Sequence, residues 1–195
     1  MKRTSVILLP LLLSAIAAQA QLVPCSFGLD EQKRSSEFFQ WNKKFEHSVA
    51  LPDRLAGLLQ SDEANQKKFH SCKSRGDVQD IPRTWFAAAQ VNLVKGESPA
   101  LLVKATHSCL LDQEQERAPF WLFRETESDY SLLLTVETGG LQVFQDSHNG
   151  YHDLCTIFGN YGTYWENSYH YDGGKYEVFQ DSLINVDFFP PPVHR

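Results

Sequence analysis

From Arg83 onward the chain is cut into short apolar and aromatic segments by glycine-bearing turns, a pattern that builds meandering antiparallel sheets. The spacing predicts strands over residues 85–94, 100–105, 120–125, 130–136, 141–144, 153–158, 166–171 and 175–179. Between them stand Lys95-Gly96-Glu97, Gly139-Gly140, Asn149-Gly150 and Asp172-Gly173-Gly174. Asn-Gly and Asp-Gly supply the positive φ angles that tight hairpins need.

Two stretches of this region follow one plan. Val91-Asn92-Leu93-Val94, a polar turn and Pro99 to Val103 are matched by Leu141-Gln142-Val143-Phe144, a polar turn and Asp153 to Ile157. The offset of about fifty residues suits one four-stranded unit per repeat. Two such units cannot close a propeller, which typically takes roughly four to eight blades. The expectation is therefore two consecutive antiparallel β-meanders, propeller-blade-like without closing a propeller.

The chain before this region has a different composition. Phe38, Trp41 and Phe45 recur at spacings of three and four, which predicts one face of a helix. Pro52-Asp53 restarts the chain, Leu55, Leu58 and Leu59 form a second short apolar stripe, and Ser61 or Asp62 can cap a third segment from Glu63 to Ser71. The fold class expected is α+β: a helical segment over residues 21–80, then a β-rich region over 81–188 with two degenerate repeats. Pro190, Pro191 and Pro192 make residues 189–195 an extended tail.

The N-terminus carries an export pattern. Lys2 and Arg3 precede an apolar stretch from Val6 to Ala18, and Ala18-Gln19-Ala20 places small residues where a signal peptidase reads. The stretch is short for a bilayer span, which needs about 20 apolar residues. Residues 1–20 are thus expected to be a cleaved signal peptide, giving a periplasmic or secreted protein with no transmembrane segment. Loss of Lys2 and Arg3 moves the formal charge from −6 to −8. An acidic chain without a basic stripe is not expected to bind nucleic acid.

Four cysteines remain, Cys25, Cys72, Cys109 and Cys155, with no C-x-x-C pair among them. In an oxidising compartment this suggests two disulfides. Of the three connectivities, Cys25–Cys72 with Cys109–Cys155 is preferred because each bridge then stays within one half of the chain.

The turn Gln145-Asp146-Ser147-His148-Asn149-Gly150-Tyr151-His152-Asp153-Leu154 resembles that of FG-GAP (integrin-type, also called VCBS) propeller repeats, in which a D-x-N-x-D-G-x-x-D-L stretch binds calcium. Residues 94–101 resemble a decayed version, and the resemblance covers residues 85–179. It puts Gln145, Ser147, Asn149 and Asp153 at the ligand positions. Only Asp153 is a carboxylate there, whereas calcium takes roughly six to eight oxygens, so the resemblance implies the family's shape without its metal. No cofactor is expected.

Among groups that can carry chemistry, His148, His152, Asp153 and His170 form the one constellation suited to zinc, if the hairpins that bear them lie side by side. Exposed turn histidines are the simpler reading, since His152 and Asp153 would point to opposite faces of one strand. No nucleophile elbow, P-loop, dinucleotide fingerprint or haem attachment motif occurs, and no catalytic residue is assigned.

The densest feature is aromatic: residues 151–176 hold Tyr151, Phe158, Tyr161, Tyr164, Trp165, Tyr169, Tyr171 and Tyr176, interleaved with Asn and Gly. Such loops make adaptable contact surfaces. The same rings can also fill a β core, and Tyr169 and Tyr171 share one strand face. The function expected is a non-enzymatic exported binding module that recognises a protein or cell-envelope glycan through Tyr151, Tyr161, Tyr164, Trp165 and Tyr169. A metal-dependent hydrolase, or a periplasmic inhibitor of a foreign hydrolase, is the alternative.

Overall fold

The computed structural model describes residues 35–160 and 163–185. Residues 1–20, Cys25, Tyr161 and residues 189–195 lie outside the described residues, and with them the expected signal peptide and tail. Strands β1 (Ser35–Gln40) and β2 (Ser48–Val49) precede helices α1 (Asp53–Ser61) and α2 (Glu63–Ser71). Eight strands follow: β3 (Phe86–Val91), β4 (Ala100–Ala105), β5 (Ala118–Glu125), β6 (Tyr130–Thr138), β7 (Gly140–His148), β8 (Tyr151–Asn160), β9 (Thr163–Tyr171) and β10 (Tyr176–Asn185). Each matches one segment of the sequence pattern.

They form two open antiparallel sheets. The first is ordered β2-β3-β4-β5-β6 and the second β1-β7-β8-β9-β10. Each holds four consecutive strands joined as hairpins, and each borrows one strand from the N-terminal segment, β2 beside β3 and β1 beside β7.

Alternation along the strands decides the layers. In β5, Phe120 and Leu122 join a core shared with Leu141, Val143, Leu154 and Tyr169 of the second sheet. Trp121 and Phe123 turn the other way, onto Leu55, Leu59 and Phe69 of the helices. The order is thus second sheet, first sheet, helix pair. Each fully buried Leu or Phe contributes about 1.5–3 kcal/mol relative to exposure.

Two helices stand where the short stripes placed them. Leu55 and Leu59 are buried on α1 while Leu58 faces out, and the Asp62 carboxylate accepts from the Asn65 N–H to cap α2. The expected helix through Phe38, Trp41 and Phe45 is replaced by β1. Phe39 enters the core beside Leu141 while Phe38 takes the opposite face, so pairing with β7 overrides a helical spacing too short to nucleate alone. Gly140 permits this approach, because a Cβ there would sit 2.8 Å from the Phe38 ring.

The preferred disulfide pairing is also corrected. Cys72 bonds Cys109, tying the end of α2 to the β4–β5 connection, with Cα atoms 5.3 Å apart. Cys155 is disulfide-bonded as well. Halves of the chain are not units of this fold: α2 packs on the first sheet, so its end meets that sheet's loops.

Lys104, 2 % exposed, is the largest charged side chain in the core. Its ammonium donates to the carbonyls of Gln40, Trp41 and Lys43 and lies 4.7 Å from the centre of the Phe45 ring. It thereby pins the connection that carries the chain from β1 in one sheet to β2 in the other. Burial pushes its pKa down to about 8.

Candidate functional site

The β7–β8 hairpin turns on Asn149 and Gly150, both with positive φ (52° and 82°), as the Asn-Gly signal implies. The Asn149 amide donates to the Tyr171 carbonyl at 2.7 Å, fastening the turn to β9. His148 closes β7, Asp153 lies near the start of β8, and His170 stands near the end of β9, one register step beyond the Leu154–Tyr169 pair. His170 alternates with Tyr169 and Tyr171, whose rings enter the core, so it occupies the sheet's other face.

These three side chains converge. His148 Nδ1 lies 2.8 Å from both carboxylate oxygens of Asp153, and His170 Nε2 lies 3.4 Å from Oδ2. The two imidazoles stack with centroids 3.5 Å apart, and the Phe179 ring covers the far side of His170 at 3.4 Å. Phe179 sits at a register shift between Val178 and Gln180. A bulge of this kind re-aims a side chain, and here it supplies the wall behind His170. Burial lowers the His170 pKa and the neighbouring His148 adds to this, while the Asp153 carboxylate opposes it. His152 stays outside the cluster; its carbonyl accepts from the Tyr176 hydroxyl at 2.7 Å.

The aromatic stretch divides between core and surface. Tyr169, Tyr171 and Tyr176 are buried, so Tyr169 serves the core and not a contact surface. Tyr151 is half-buried, stacked on Tyr171 at 3.9 Å, and its hydroxyl accepts from Arg124 at 2.5 Å. That bond, despite some burial, raises the pKa of the guanidinium. Tyr164 is half-buried and lines a shallow groove of about 240 Å³ with Phe38, Ile157 and Phe158.

Trp165 differs. It is 44 % exposed, stacks on Phe158 directly across β8–β9, and faces Leu183, 55 % exposed, directly across β9–β10. The three make one continuous apolar row over three strands. Val178 on β10 is also half exposed. Among the described residues no strand pairs with the outer edge of β10. Sequence reading found Trp165 but missed Leu183, Phe179, Arg124 and Lys104. The first two lie on a strand whose bulge leaves no mark in the pattern, and the last two are single cations in strand segments whose partners lie far away in the chain.

No family model matches this chain, and neither a curated protein nor a solved structure matches it significantly. Among the described residues no helix is long and apolar enough to cross a membrane.

Proposed function

We propose that this chain is an exported, non-enzymatic interaction module that takes a protein partner on an apolar row of its second sheet and on the edge of β10, which has no partner strand among the described residues. The observation that carries this reading is the Phe158–Trp165–Leu183 row beside the edge of β10, which is unpaired among the described residues. An exposed edge strand offers a line of backbone donors and acceptors to an extended segment, and adjacent apolar side chains give that segment anchors. Tryptophan is the residue type most enriched among energetic hot spots. A glycan is the weaker occupant, because Leu183 and Val178 offer it no hydrogen bonds. The Cys72–Cys109 bridge supports residence in the periplasm or outside the cell, where disulfides persist. The two meanders are read as diverged copies of one unit, in keeping with the FG-GAP likeness.

Replacing Trp165 and Leu183 together by Ala tests the reading. The double variant is expected to lose about 2 kcal/mol or more of partner affinity, the scale of a hot spot, while its melting temperature stays near that of the wild type. Undiminished partner binding would contradict it. The hydrolase alternative draws support from one observation, the convergence of His148, Asp153 and His170.

A further inference from the structure

Asp153 is 8 % exposed, and its ion-pair partners among the described residues are two imidazoles. No lysine or arginine of the described residues approaches it within ion-pair distance. A buried carboxylate is thus faced by two imidazoles, stacked 3.5 Å apart, that turn ring nitrogens toward it. That is a convergent donor set of the kind a divalent cation takes.

The donors fit one class of ion. One ring nitrogen from each of His148 and His170 and one Asp153 carboxylate oxygen lie within 4.8 Å of one another. Four-coordinate zinc with bonds of about 2.0–2.1 Å sets its ligand atoms about 3.3 Å apart. Closing to that geometry requires modest movement, which the two rings share unequally. His170 is clamped between His148 and Phe179. His148 stands at the hairpin tip with half its side chain exposed, so it can tilt out of the stack to aim its lone pair. Two imidazoles and one carboxylate are a borderline-soft set that selects zinc-type ions over calcium or magnesium, which take oxygen.

We propose that His148, Asp153 and His170 bind one divalent transition-metal ion of the zinc type on the second sheet. Three protein ligands leave the ion a coordination position facing solvent, past the exposed edge of His148. This arrangement is independent of the Trp165 row, which lies toward the other end of β9.

Zn2+ titrated into the untagged, oxidised protein near neutral pH is expected to bind at one equivalent. It should shift the imidazole NMR signals of His148 and His170 and leave those of His152 in place. His148→Ala, at an exposed position that the fold does not need, should weaken Zn2+ by at least about tenfold. His170→Ala should do the same, and His152→Ala should change nothing. Equal Zn2+ affinity in wild type and His148→Ala, or the absence of a saturable site in the wild type, would overturn the proposal.

Discussion

The two sheets share one core, but the first buries apolar side chains on its other face as well, whereas the second buries Asp153, Cys155, Glu166 and Ser168 there. In β5, residues Ala118 through Phe123 are all buried, alternating between the second sheet and the helices. In β9 the alternation separates core tyrosines from His170, and Trp165, near the start of the strand, is exposed. The charged groups follow the same division. Lys104, between the sheets, is satisfied by three main-chain carbonyls, whereas Asp153 is held by two side chains at the sheet's other face. A sheet with apolar side chains buried on both faces stabilises. One whose second face buries polar groups, and whose last strand has no partner among the described residues, is where the recognisable chemistry collects.

The contrast can be broken most forcefully at Phe120, 1 % exposed between the sheets. Phe120→Ala is expected to cost about 3–5 kcal/mol of unfolding free energy by denaturant titration. A loss below about 1 kcal/mol would mean that the first sheet is not where stability resides.

Lys104→Met comes next. It leaves the Gln40, Trp41 and Lys43 carbonyls without their donor and should cost about 1–3 kcal/mol near neutral pH. Its sign with pH is definite. The folded-state pKa, about 8, lies below the unfolded value of about 10.4, so between these the unfolded chain holds the proton more often. Burial therefore penalises the fold most below about pH 8, and the penalty is relieved as pH rises toward about 10.4. Stability of the wild type relative to the Met variant should increase across that window. The groups facing the ammonium are the three carbonyls and the Phe45 and Phe120 rings, with no ion-pair partner among the described residues. Only the side chain itself titrates there.

The smallest effect is expected at Trp165. Trp165→Ala should shift unfolding free energy by no more than about 0.5 kcal/mol, as substitutions away from a packed core do. A large loss would move Trp165 into the core and erase the difference between the sheets.

Much of this architecture was legible in local signals. The period-two segments and their glycine turns located the strands, and Asp62 marked the start of α2, because these depend on neighbours in the chain. Pairings between distant segments were not legible. A three-four spacing at Phe38, Trp41 and Phe45 gives no hint that β7 will claim Phe38 and Phe39, and cysteine spacing does not reveal that α2 ends beside the β4–β5 connection. The site divided likewise. His148, Asp153 and His170 stood out by residue type, while the Phe179 wall depends on a bulge. Tyr169 was indistinguishable from Trp165 until the register put one in the core and the other at the open end of the sheet.

The most direct measurement is site-specific photo-cross-linking in the producing cell. A photoreactive residue would replace Trp165 in one variant and Leu58, equally exposed on helix α1, in the other. One saturable protein adduct from position 165 with none from position 58 is the result this account predicts. Equal adducts from both positions, or adducts from position 58 alone, would contradict it.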